Sequence, residues 1–387
     1  MIDFRNTEIA FRSKSDGDLR RAKLLFKCMS KRWIVKSGKY LSEIAQAIHF
    51  PIAWALKPTI YSQFVGGENL QECIPVAKSL REFGVWSIFD NSVEGGGTEE
   101  FIRENFDEAV RSIIFTKENE KVAYSVFKPT ALAPAEILEK KSEGRELTEE
   151  EAKIYERFVE RFDLLCKKAF EEDVRILVDA EDYCYQAEVD RLTEAAMRKY
   201  NQKRAIVFAT LQMYRHDRLP YLEYLHADGK KCGYKPGIKF VRGAYMEKER
   251  ERAKRMGYQD PICKDKASTD VNYNSGVEYV VEHIEDMELF CGTHNEKSNL
   301  LLAALIDKKG LAKDDSRIFF AQLYGMSDNI SYNLADAGYN VAKYVPYAPV
   351  KGVLPYLVRR AEENTAIAGQ TSRELELIET EVRRRKG

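Results

Sequence analysis

The sequence predicts an α/β protein whose main body is a (β/α)8 barrel of the TIM type, with an N-terminal helical arm and a helical insertion. Three observations carry this. Eight short apolar or alternating runs recur along the chain, each followed by a polar stretch with helical spacing. Several runs are almost continuously apolar, as parallel strands buried on both faces are. Polar residues gather at the C-terminal ends of the runs, where such a barrel carries its chemistry.

The elements follow in order. From Ser13 to Leu80 apolar residues such as Leu19, Ala22, Leu25, Phe26 and Met29 recur at three- and four-residue steps, and Ser15 and Asp16 offer helix-starting side chains. Residues 1–80 are read as the helical arm. The eight strand runs are Val85–Asp90, Val122–Lys128, Val174–Glu181, Ala205–Gln212, Gly237–Tyr245, Met287–Asn295, Arg317–Gly325 and Asn340–Ala348. The linker at about 134–172 reads as a helix pair joined near Gly144, with Thr148 capping the second helix. Residues 81–370 form the barrel domain, and 371–387 read as a charged tail, a frayed helix.

The 387 residues are 44% hydrophobic and 32% charged, a soluble globular composition. A net charge of −1 gives no nucleic-acid footprint. Basic residues outnumber acidic ones between Met1 and Phe50, and Arg383 to Lys386 close the chain. Solvated charge is the plain account, and contact with an anionic membrane the alternative. Seven scattered cysteines, none at redox or metal spacing, argue for a reducing compartment. The N-terminus has no apolar leader, and no run is long enough to span a bilayer. A cytoplasmic location is expected, with any membrane contact peripheral.

The strand ends carry Glu94, Lys128, Asp179, Glu181, Gln212, Lys239, Arg242, Tyr245, His294, Leu323 and Tyr347, and the last helix adds Arg359, Arg360 and Glu363. Singly, each has an ordinary account. His294 is a structural histidine, Asp179 a helix cap, Lys128 a lysine reaching water, Glu94 a loop acid, and Arg359, Arg360 and Glu363 an exposed helix face. Gathered at one rim they point instead to a site for a polar, anionic ligand, because buried charge is costly unless matched. His294 has no second histidine at ligand spacing, so no metal is expected. A G-x-S-x-G elbow and a Rossmann glycine fingerprint are also absent.

The motifs FKP, DAE, LQMY, KFVRGAY, GTHN, QLYGM, YAPV and YLVRRAEEN follow one another in this order. Over about Lys14 to Gln370 the chain resembles the proline dehydrogenase family, the flavoenzymes that start proline catabolism. The resemblance implies a distorted barrel with FAD at its C-terminal rim. It also implies that Arg359 and Arg360 bind the substrate carboxylate with Lys128 as a third cation. Tyr347 and Leu323 would pack on the pyrrolidine ring, with Tyr245 beside it. Asp179 would hold the network, Glu363 would orient the cations, and Glu94 would pair with Arg360 as a lid. Gln212, Lys239, Val241, Gly243, Thr269 and His294 match positions that contact FAD. Met246 departs from the pattern, standing where some relatives have tryptophan.

The implied reaction is oxidation of L-proline to Δ1-pyrroline-5-carboxylate, with electrons passed to a membrane quinone. No aldehyde dehydrogenase or DNA-binding module follows the barrel, so the monofunctional form is expected. Three other readings stand beside it. One is hydroxyproline dehydrogenase, in which the residue matching Tyr347 tends to be smaller. Another is a folate-reducing flavin barrel, against which YLVRRAEEN argues. The third is a catalytically dead barrel that binds a partner or a membrane.

Overall fold

The computed structural model describes residues 2–31, 33–35, 53–93, 97–366 and 370–386. Each of the eight apolar runs matches one strand: β1 (Val85–Asn91), β2 (Val122–Phe127), β3 (Ile176–Val178), β4 (Val207–Gln212), β5 (Gly237–Val241), β6 (Glu288–Gly292), β7 (Ile318–Leu323) and β8 (Val341–Tyr347). Taken in sequence order they form a closed barrel. All described pairings are parallel, with β1 beside β8 and β2 to β7 each beside the next. Most strands are shorter than their runs. Their polar ends therefore fall in the loops that leave the strands, as with Asp179 and Glu181 after β3. No helix among the described residues is long and apolar enough to cross a membrane.

The chain divides into two compact units, residues 1–94 with 322–387, and residues 95–321. In the second unit, aromatic rings from several strands meet. Tyr124 of β2 meets Phe208 of β4, Phe290 of β6 and Phe319 of β7 edge to face, with centroids 5.4, 5.2 and 5.2 Å away. The insertion is the expected helix pair, Ala135–Ser142 and Glu149–Glu171. Gly144 between them has φ +70°, a conformation that disfavours residues with a Cβ. Thr148 caps the second helix in a reciprocal capping box with Glu151.

In the first unit, Ser15 caps the helix Asp16–Met29 through a capping box with Asp18. Leu19, Phe26 and Met29 of this helix share a core with Tyr61, Phe64, Val353, Leu357, Leu377 and Ile378. The C-terminal segment corrects an expectation. It is not a frayed tail: Gln370–Arg384 is a helix whose Leu377 and Ile378 are buried. Its apolar stripe is hidden in sequence among glutamates and arginines, and those charges are themselves matched. Buried Glu381 accepts from Arg384 and Arg385, and Arg385 also donates to the carbonyls of Phe11 and Lys14. The two ends of the chain thus build one core rather than two appendages.

That core encloses charge. Lys343 of β8 is 1% exposed and pairs with Asp328 at 2.8 Å. Burial lowers the lysine pKa. Burial also works to raise Asp328, but Lys343 and Lys14 overcome it and hold the carboxyl below its ordinary value. Glu374 of the C-terminal helix accepts from the Ser327 N–H, and burial pushes its pKa up to about 7. Between about pH 4.5 and 7 the folded chain therefore holds a proton there that the unfolded chain has released, so stability falls as pH rises through this window. Glu374→Gln keeps an acceptor for Ser327 and should remove that slope. It should stabilise the protein at pH 7 by on the order of 1–3 kcal/mol, measured by urea unfolding at pH 5 and pH 7.

Candidate active site

In the unit spanning residues 95–321, β2, β3 and β5 place three charges together. Lys239 lies on β5, is 5% exposed, and donates from Nζ to Asp179 Oδ1 at 2.6 Å. Lys128 follows β2, and its Nζ lies 3.8 Å from the other oxygen, Oδ2. Asp179 is thus flanked by two ammonium groups, and the group of three carries a net positive charge. Asp179 is fixed by its own backbone as well, since its N–H donates to the Phe127 carbonyl. Its carboxylate faces Lys239 and Lys128.

Gln212 ends β4, between β3, which Asp179 follows, and β5, which carries Lys239. It is 2% exposed, and its Nε2 donates to the Glu181 carbonyl at 3.1 Å. Its Oε1 is buried with no hydrogen-bond partner. An orphaned buried acceptor is costly, and a bound molecule with an N–H would satisfy it. Gly243, after β5, has φ +120°, and a Cβ there would lie 2.5 Å from the Tyr214 ring. Only glycine fits where this loop crosses the tyrosine. Val241 ends β5, and Tyr245 N-caps the helix Met246–Met256. Thr269 is buried on the helix Lys266–Glu282, and half-buried His294 follows β6. Met246 is 37% exposed.

Two residues noted in the sequence but given no role turn out to organise this region. Arg242 donates to Asp270, Thr293 and Ser298 and lies over the Tyr273 ring at 4.3 Å, so it ties the end of β5 to the β6 loop and two helices. Glu181 accepts from the Thr130 N–H and hydroxyl at 3.0 and 2.6 Å. Burial pushes its pKa up to about 7, against the pull of those bonds and of Lys128. The adjacency of Thr130 to FKP and of Glu181 to Asp179 was the available signal. A cavity of about 560 Å³, lined by residues including Tyr183, Arg215, Arg218, Arg252 and Tyr258, contains none of the predicted site residues.

In the other unit, Leu323 ends β7 and Tyr347, 2% exposed, ends β8. The loop after Leu323 is anchored from below, because Lys343 donates to the Leu323 and Met326 carbonyls. The helix Val350–Ala366 turns Val353, Leu357 and Ala361 into the core. Arg360 shares that face at 7% exposure, with its guanidinium 5.2 Å from the Tyr356 ring centroid, and Arg359 is half-buried. The two arginines are therefore not an exposed, solvated face. Glu94 and the side chain of Glu363 lie outside the described residues.

Comparison with known proteins agrees with these motifs. The family profile described as proline dehydrogenase matches residues 73–373. A carbapenem antibiotics biosynthesis protein, CarD, of Pectobacterium carotovorum subsp. carotovorum is 33% identical over 84% of this chain and 84% of its own. The mitochondrial proline dehydrogenase 1 of Dictyostelium discoideum is 30% identical over 98% of this chain and 74% of its own. A hydroxyproline dehydrogenase of Xenopus laevis is 30% identical over 97% and 88%. Among solved structures, the proline utilization A protein of Bdellovibrio bacteriovorus inactivated by N-propargylglycine superposes with a TM-score of 0.71 at 21% identity. It covers 94% of this chain, which spans 36% of that longer one, and shares the fold.

Asp179 gives a test that needs no relative. Asp179→Ala leaves the buried Lys239 ammonium without its carboxylate, and should destabilise the protein by about 3–5 kcal/mol in urea unfolding. Asp179→Leu combined with Lys239→Met should recover most of that loss.

Proposed function

Because the chain belongs to the proline dehydrogenase family, oxidoreductases that act on a CH–NH bond, we propose that it oxidises L-proline to Δ1-pyrroline-5-carboxylate with FAD as its flavin. The observation that carries the reading is the Lys128–Asp179–Lys239 group beside the orphaned Gln212 acceptor, in a chain that matches the family over residues 73–373. The residues fit a flavin. Gln212 offers a buried acceptor to a ring N–H, Gly243 leaves the backbone bare, and Arg242 stiffens the loop between Val241 and Tyr245. Lys239, Thr269 and His294 complete the set proposed to hold it.

A bound FAD, held by Gln212, Lys239, Val241, Gly243, Thr269 and His294, would supply the two-electron oxidising power for the C–N bond of the substrate. The protein's part is to hold the substrate. Arginine's planar fork matches a carboxylate, which suits Arg359 and Arg360 as its clamp, with Lys128 as a third cation. Glu363 is assigned to orient these cations and Glu94 to pair with Arg360. Tyr347 and Leu323 give an apolar wall for the ring methylenes, with Tyr245 beside it. Fixing the substrate in a reactive orientation removes a large part of the barrier. Tyr347 also favours proline over hydroxyproline, since its full-sized ring leaves less room for an added hydroxyl. The similarity to a hydroxyproline dehydrogenase keeps that substrate as the second reading.

The proposed electron acceptor is a membrane quinone. The basic excess of the first fifty residues and the exposed Trp33 and Trp54 support a peripheral contact with a membrane surface.

An anaerobic visible spectrum tests the reading. The flavin band should bleach with L-proline, bleach weakly with trans-4-hydroxy-L-proline, and return when a soluble quinone is added. Bleaching by NADH and not by proline would move the chain to the folate-reducing class. Arg359→Met should raise KM for proline and lower kcat/KM roughly 10- to 100-fold with flavin still bound. Loss of the flavin in that variant would remove Arg359 from the carboxylate clamp.

A further inference from the structure

The sequence gives no metal-ligand spacing, yet the fold brings two imidazoles and a carboxylate together on its outer layer. His226 lies on the helix Arg218–Cys232, and His283 caps the C-terminus of the helix Lys266–Glu282. The turn after that cap brings Asp286 back toward His283, with the Asp286 N–H donating to the His283 carbonyl at 2.9 Å. One donor atom from each of His226, His283 and Asp286 lies within 4.8 Å of the other two. We propose that these three residues form a binding site for a divalent transition ion of the zinc class, which staples the two helices together.

The geometry is close to what such an ion requires. Bonds of about 2.0–2.1 Å in a tetrahedral site set neighbouring donor atoms about 3.3 Å apart. His226 Nε2 and Asp286 Oδ2 already stand 3.1 Å apart. The His283 ring is in contact with that of His226, centroids 4.4 Å apart, and is partly exposed, so a small rotation brings its nitrogen in.

The orientation of His226 is fixed from behind. Its Nδ1 is hydrogen-bonded to the Tyr279 hydroxyl at 2.9 Å, which leaves Nε2 for the ion. A ligating histidine is commonly held in this way through its other nitrogen. Two imidazoles with one carboxylate suit zinc and its neighbours, and not calcium or magnesium, which prefer oxygen donors. Asp286 is 43% exposed on its side chain, so water can complete the coordination. Lys230 lies 4.0 Å from Asp286 and is 64% exposed, and an ion pair of that kind competes weakly.

The test is calorimetric titration of zinc chloride into the purified full-length protein after chelator treatment. One ion per chain should bind saturably, and His283→Ala and Asp286→Asn should each weaken binding at least about tenfold. At one fixed concentration, zinc should raise the thermal midpoint of the parent protein more than that of either variant. Neither residue belongs to the proposed proline site, so proline turnover should be kept in both and will report that they fold. Failure to bind one equivalent, or unchanged affinity in either variant, overturns the proposal.

Discussion

A lysine ammonium taken out of water must meet an anion or lose its proton, and two strands of this protein carry such a lysine. Lys239 meets Asp179 at 2.6 Å and Lys343 meets Asp328 at 2.8 Å. Much else follows from these two pairs. The first obliges the chain to place a carboxylate just beyond β3, and the remaining oxygen of that carboxylate then draws in Lys128. The second binds the strand to carbonyls of the loop after β7, which fixes the loop that begins at Leu323. In each unit the buried ion pair stands beside a residue proposed to meet the substrate, Lys128 in one and Leu323 in the other.

The barrel was legible because burial on both faces leaves a plain mark, a run with little polar interruption. Every run matches a strand, although most strands end earlier than their runs do. The caps at Ser15 and Thr148 and the turn at Gly144 were also legible, because each depends on residues within a few positions of one another. The helix Gln370–Arg384 was not. Its stability depends on partners at the other end of the chain, and Glu381 and Arg385 look solvated until Phe11, Lys14 and Asp16 are brought beside them.

The site divides in the same way. Which residues are candidates could be read from strand ends and motifs. How they pair could not. Asp179 accepts from a lysine 60 residues away, and Glu181 from a threonine 51 residues away. Arg242 was visible inside KFVRGAY, but its three partners lie on other elements and only the fold identifies them. The His226–His283–Asp286 group was hidden for the same reason, with the first and last of its residues 60 positions apart.

The shared core of the chain's two ends also constrains synthesis. Arg385 bonds to the Phe11 carbonyl across 374 residues. At about 5–20 residues per second, the helix Asp16–Met29 waits roughly 20–75 s on the ribosome for its partner helix to be made. During that time Leu19, Phe26 and Met29 lack the Leu377 and Ile378 side of their core, while residues 95–321 have all the sequence they need to collapse. The order of birth therefore favours the middle of the chain folding before its beginning. The early helix, with its apolar stripe open, is the segment a chaperone would be expected to cover first.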